Sequence, residues 1–262
     1  MQILKLVHID GFIDGGSSKP LLITAVDSSG KANQYVMKLF KKNYVEQNYS
    51  VAKEILICEL AQEFNLPVPN YALIDIDHEL LSKYFELEEL AKLDKNYKFC
   101  SEFNGQFVIF NPLVSLQFIK SYDIANLFAF DNVIINSDRG GFRNKPNLLV
   151  NDEAILLIDH EQTLPFINNS YSDPNYFTYL QNYPYQRHLV ITHLKSMRLK
   201  NGIFDEFLEM LKYLNIEKFI HIFDQLDSLN INYGHRENYL SFLEWAKNKR
   251  EPIYNHLNGI IK

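Results

Sequence analysis

Apolar residues gather in two short runs near the start of the chain, at 21–26 (LLITAV) and 35–40 (YVMKLF). Residues 27–30 between them (DSSG) have turn composition, so the pair reads as a β-hairpin. Over 49–64 the spacing becomes helical, with Val51, Ile55, Cys58, Ala61 and Phe64 recurring on one face. That helix is expected to stop at Asn65, because Pro67 and Pro69 forbid its continuation. Residues 71–76 read as a strand, 77–99 as a charged and largely helical insert, and 107–110 (FVIF) as a buried strand ended by Asn111 and Pro112. Helical spacing then dominates, at 121–135, 188–199, 204–214, 216–226 and 237–249. Two short strands interrupt it, 147–150 and 154–158, joined as a hairpin by Asn151, Asp152 and Glu153.

The change of character near residue 110 predicts an α+β protein of two lobes, a small β-rich one over 1–110 and a larger helical one over 111–262. With 262 residues, the chain can bury a sizeable core. Lys+Arg number 26 against 32 Asp+Glu, a net charge of −6, which argues against a protein built to hold nucleic acid or an anionic membrane. Cys58 and Cys100 are too few for a disulfide framework and have no zinc-ligand spacing, which points to a reducing, cytoplasmic setting. The first residues, MQILKLVHIDGF, lack the apolar core and cleavage site of a secretory signal. No apolar run approaches about 18 residues, so no membrane span is expected.

Candidate chemistry enters in a fixed order along the chain. Residues 14–20 (DGGSSKP) precede a strand. Gly15 and Gly16 would let backbone approach a phosphate, and Ser17 and Ser18 would add hydroxyls, although a surface turn has the same composition. Lys38 shares a strand face with Val36 and Phe40, so it must snorkel, face water at a sheet edge or find an anion. Glu54 on the following helix is within reach of that role, with Glu46, Glu59 and Glu63 as competitors. The most specific segment is 130–150 (FDNVIINSDRGGFRNKPNLLV), followed by 155–161 (ILLIDHE). An Asp in a loop after a helix, an Asn opening a strand and an Asp ending the next strand form the layout of phosphoryl transfer. The first Asp orients the attacking hydroxyl; the Asn and the second Asp hold Mg²⁺ against nucleotide phosphates.

These pieces together resemble the HipA-like kinases, in particular their short single-domain branch. The resemblance rests on residues 15–20, 35–38, Glu54 through the 66–69 prolines, Asn136-Ser137-Asp138-Arg139 through Asn147-Leu148-Leu149, and Leu157-Ile158-Asp159-His160. It implies a two-lobed protein-kinase-like fold and ATP-dependent phosphorylation of Ser or Thr in a protein. Several members of the family act as toxins of toxin–antitoxin pairs, so an antitoxin joins the candidate partners. Position by position, it implies that Gly15, Gly16, Ser17 and Ser18 line the phosphates and that Lys38 pairs with the α/β-phosphates of ATP. Glu54 would hold Lys38, Asp138 with Arg139 would form the catalytic pair, and Asn147 and Asp159 would bind Mg²⁺. His160 and Glu161 stand where ordinary protein kinases have Phe-Gly. Asn144 remains an alternative to Asn147. Phosphorylation of Ser17 or Ser18 would switch such a loop off. A small-molecule or lipid acceptor, or a catalytically weak binding protein, are the rival readings.

Overall fold

The computed structural model describes residues 1–13, 19–111, 113–119, 121–140, 145–168, 175–198 and 201–262. It has mixed α and β content and divides into two compact units. Unit 1 is Met1–Leu56, Pro69–Gly105 and Ile222–Tyr233; unit 2 is Ile57–Val68, Gln106–His221 and Gly234–Lys262.

Unit 1 is built on a closed five-stranded barrel in the order β1-β2-β3-β5-β4. The strands are β1 (Ile3–Phe12), β2 (Leu21–Val26), β3 (Ala32–Met37), β4 (Tyr71–Ile74) and β5 (Lys98–Glu102). The hairpin of β2 and β3 is present as expected, in antiparallel register from Leu21↔Met37 to Val26↔Ala32. Alternate residues Leu21, Ile23, Ala25, Tyr35 and Met37 fill the barrel. Strand β1 was not expected. Its pairing with β2 slips between Leu6 and His8 and again between Ile9 and Gly11, and each slip breaks the alternation that would have announced a strand. Parallel pairing of β1 with β4, Ile3↔Leu73 and Leu4↔Ile74, closes the barrel. The insert after β4 holds two single-turn helices, α3 (His78–Leu81) and α4 (Leu87–Leu90), and ends in strand β5 rather than in helix. Before it come α1 (Lys42–Asn48) and α2 (Ser50–Glu63).

Helix α2 stops where expected, by a specific device. Asn65 adopts a left-handed φ of 52°, Leu66 N–H donates to Ala61 O (2.9 Å) and Asn65 N–H to Gln62 O (3.1 Å). This pattern satisfies the last carbonyls, and Asn tolerates the conformation better than most residues. In unit 2, Asn126 Nδ2 donates to Phe64 O at 2.6 Å and completes the cap.

Unit 2 carries a small sheet, β6 (Val108–Ile109), β7 (Leu148–Val150) and β8 (Ile155–Leu157), and helices α5 (Leu116–Ile119), α6 (Ile124–Val133), α7 (Tyr176–Gln181), α8 (Ile191–Ser196), α9 (Asp205–Tyr213), α10 (Ile216–Ser228), α11 (Arg236–Asn248) and α12 (Arg250–Ile261). The second half of α10 lies in unit 1. The expectation of a buried strand at 107–110 needs correction: Val108 and Ile109 are both 65% exposed, because β6 is an edge strand pairing only with β7. Phe110 alone enters the core. Every residue of α6 is buried, and aromatic rings surround it, with Phe64 stacked on Phe207 at 4.8 Å and tilted against Phe130 at 5.6 Å. Trp245 is half-buried, its ring tilted against that of Tyr176 at 5.3 Å. Cys58 and Cys100 are both buried and form no disulfide. No helix among the described residues is long and apolar enough to cross a membrane.

Candidate active site

In unit 1, the alternation that sends Tyr35 and Met37 into the barrel sends Val36 and Lys38 to its outer side. Lys38 N–H donates to Phe99 O at 2.9 Å, which extends the β3–β5 pairing past Met37. Its Nζ lies 2.5 Å from Glu54 Oε1, with side chains 10% and 1% exposed, and 5.7 Å from the centre of the Phe99 ring. The lysine has therefore found its anion. The competing glutamates are engaged elsewhere: Glu59 and Glu63 both pair with Lys218 at 2.9 Å, and Glu46 lies 3.9 Å from Lys42. Lys19 forms an exposed ion pair with Glu89 at 2.8 Å.

In unit 2, the loop carrying Asp138 begins at the end of α6. Ile135 is left-handed, φ 54°, and the Ile135 and Asn136 N–H groups donate to Asn132 O (3.3 Å) and Asp131 O (2.8 Å). A β-branched residue in this conformation costs on the order of 1–3 kcal/mol, so the surrounding contacts must hold it there. They do so through Asp131, the one charged residue of the fully buried helix α6. Its Oδ1 accepts from Asn136 Nδ2 (2.8 Å), and its Oδ2 accepts from Arg139 Nε (2.6 Å) and meets His188 Nε2 (3.0 Å). Burial pushes the Asp131 carboxyl up, but the Arg139 guanidinium and His188 pull it below the usual carboxylate range. Burial pushes the His188 imidazole down, only partly offset by Asp131.

Asp138, 7% exposed, follows directly, its N–H donating to Asn136 Oδ1 at 3.2 Å. Asn147 Nδ2 donates to Asp138 Oδ2 at 3.1 Å. A carboxylate only accepts, which fixes the amide nitrogen toward Asp138 and turns Asn147 Oδ1 the other way. Arg139 is fully buried and also donates through Nη1 to Asn147 O. The β7–β8 register pairs Leu148 with Leu157, and Ile158 N–H donates to Asn147 O at 3.2 Å. One end of this hairpin thus carries Asn147 before β7 and Asp159 after β8. Both are left-handed, φ 46° and 64°, a strained backbone of the kind that gathers at functional sites. Carboxylate oxygens of Asp159 and Glu161 lie within 4.8 Å of each other. Carboxylate and amide oxygens are the donors a hard dication such as Mg²⁺ takes, so the residues present fit one.

A model of the HipA-like kinase family matches residues 7–178, well over half of the chain. The chain belongs to the HipA-like kinases. A comparison with curated proteins returned no match. Among solved structures, this HipA-like kinase is similar to two crystal structures of the Golgi casein kinase. The one with Mn/ADP bound is 12% identical, with a TM-score of 0.47, over 98% of this chain and 73% of that one. The other is 11% identical, with a TM-score of 0.46, over 98% of this chain and 74% of that one.

Of the residues singled out in this HipA-like kinase on sequence, the structure brings Lys38 to Glu54, Asp138 to Asn147, and Arg139 to the Asn147 backbone. Gly15, Gly16, Ser17, Ser18 and Asn144 lie outside the described residues. Sequence reasoning missed Asp131 and His188. The signal for Asp131 was a single charge inside a mostly apolar helix; His188, 57 residues further on, gave none.

Proposed function

We propose that the chain is an ATP- and Mg²⁺-dependent kinase of two-lobed protein-kinase-like fold, with lobes over 1–110 and 111–262, that phosphorylates Ser or Thr in a protein. The observation that carries this reading is the buried Lys38–Glu54 pair. Such a pair contributes little net stability, since its desolvation offsets its attraction. A lysine held in one orientation by a glutamate is instead the part that phosphoryl transfer uses to seat the α/β-phosphates.

Lys38 takes those phosphates, Glu54 fixes Lys38, and the loop of Gly15, Gly16, Ser17 and Ser18 lines them. Asn147 and Asp159, with Glu161 beside Asp159, hold Mg²⁺, which when bound offsets the phosphate charge. Asp138 orients the acceptor hydroxyl and takes its proton. The acceptor oxygen bonds to the γ-phosphorus as the bond to the ADP oxygen breaks. Arg139 positions the loop rather than touching substrate, because its guanidinium is fully buried. A cytoplasmic setting fits the two buried, unbridged cysteines. Because several members of the family act as toxins, the proposal extends to a toxin role with an antitoxin as partner.

Incubation with labelled ATP, Mg²⁺ and a cell lysate tests the reading. A labelled protein band, lost in the Lys38→Met variant, is the expected result. Label confined to small molecules or lipids would move the acceptor class, and no transfer by the folded protein would overturn the activity.

A further inference from the structure

The cluster around Asp131 extends beyond the residues given a chemical role, and its outer member is His188. We propose that His188 is a positioning residue of the catalytic loop, acting through Asp131 and Arg139 to set Asp138 and Asn147. The proposal rests on the kinase reading for its effect on turnover, but its structural half stands apart from it.

The tautomer is fixed by the neighbours. Val190 N–H donates to His188 Nδ1 at 3.3 Å, so Nδ1 carries no proton. The proton is on Nε2, which donates to Asp131 Oδ2 at 3.0 Å. The lowered imidazole pKa agrees with a neutral ring. Asp131 Oδ2 therefore accepts two donors, and its orientation depends on both. Arg139 is gripped at Nε by this carboxylate and at Nη1 holds Asn147 O. Asn147 in turn meets Asp138. The chain of bonds runs from His188 to the proposed base without a gap.

Backbone packing follows the same path. Gly140, at φ +92°, lies so close to the His188 segment that a Cβ there would sit 2.5 Å from Arg187 O and 2.8 Å from Leu189 N. Tyr183 Oη donates to Asn136 O at 2.9 Å. Residues 183–189 thus support the loop at three points, and His188 supplies the only imidazole. A need for stability alone does not explain a fully buried His–Asp–Arg cluster, since apolar residues of similar volume would serve as well. A need for placement does, because an error of about 1 Å in a reacting group costs on the order of a hundredfold in rate.

The test compares His188→Ala, His188→Gln and His188→Asn. A glutamine amide can still reach Asp131 as a donor; alanine has none and asparagine is too short. Two quantities are read: kcat and KM for transfer of labelled phosphate from MgATP to lysate protein, and amide hydrogen exchange at Asp138 and Gly140 in the protein alone. In His188→Ala, kcat should fall about a hundredfold with KM for ATP within about threefold. Exchange at the two amides should quicken by at least about tenfold. His188→Gln should recover most of both. If His188→Ala does not fold, the contrast between His188→Asn and His188→Gln decides. Unchanged kcat and exchange in the folded variants, or a glutamine as damaging as alanine, would overturn the proposal. If the wild type transfers no phosphoryl group to lysate protein, the kinase reading fails. The exchange data then decide alone: quickening confined to 136–147 and reversed by glutamine supports the clamp, and unchanged exchange refutes it.

Discussion

Lys38 Nζ and Glu54 Oε1 lie 2.5 Å apart, and neither side chain is more than a tenth exposed. Helix α2 and the end of strand β3 are thereby joined by an ion pair almost wholly shielded from water. Taking away one partner leaves the other charge buried, so Glu54→Leu should lower unfolding free energy by about 3–5 kcal/mol. The double variant Lys38→Met/Glu54→Leu should recover most of that loss while remaining without activity. Urea unfolding of the two proteins checks it; equal losses in both would show that the pair is not coupled.

Asp138→Asn should lower phosphoryl transfer by about 10²–10⁴-fold, the usual contribution of a positioned base. ATP affinity should stay within about threefold, because the proposed role of Asp138 is on the acceptor side. The amide keeps an oxygen to accept from Asn147, so the loop should hold its shape. Turnover with labelled ATP beside calorimetric ATP binding gives both numbers, and near-wild-type turnover would remove Asp138 from the mechanism.

Asp159 is left-handed, and alanine there would add backbone strain to the loss of a ligand. Asn tolerates this conformation, which makes Asp159→Asn the cleaner substitution. It should abolish most of the Mg²⁺-dependent part of the thermal stabilisation by ATP, since a hard dication needs the carboxylate charge. A thermal shift with ATP, with and without Mg²⁺, reads this directly. The same Mg²⁺ increment in both proteins would exclude Asp159 as a ligand.

Acid should weaken the folded chain in two stages. The His188 pKa is lowered from 6.5, so between its folded value and 6.5 the unfolded chain binds the extra proton and stability rises with pH. That contribution is complete above 6.5 and is lost as pH falls below it. Asp131 is lowered from 3.8, so its contribution is present above 3.8 and is lost as pH falls toward its own depressed value. His78, His193 and His256 are also lowered and act in the same direction. His188→Gln isolates the first stage: its loss of urea stability between about pH 7.5 and about pH 5.5 should be smaller than that of the wild type. Equal losses would show that His188 titrates alike in both states.

What the sequence made legible follows from where the physics is local. The β2–β3 hairpin, the stop of α2 at Asn65 and the face shared by Val36 and Lys38 all depend on neighbours a few positions apart. Strand β1 was hidden because two register slips destroy its period, and β5 because it begins at charged Lys98, a residue that burial in the barrel brings to about pKa 8. At the site, Asp138, Asn147 and Asp159 were readable as an ordered set of oxygen donors. Arg139 was readable as a neighbour of Asp138, but its burial against Asp131 was not. His188 depends on a contact across 57 positions that no local pattern carries.

The two cysteines have a practical consequence. Cys100 faces the barrel of unit 1 and Cys58 lies in unit 2, both buried and unbridged. A thiol reagent therefore meets neither until the surrounding unit opens. Each unit carries one built-in clock, and mass spectrometry of the two cysteine peptides after brief labelling in urea can time them separately without any added probe. A nucleotide that slows labelling at one thiol more than at the other would reveal which unit it tightens.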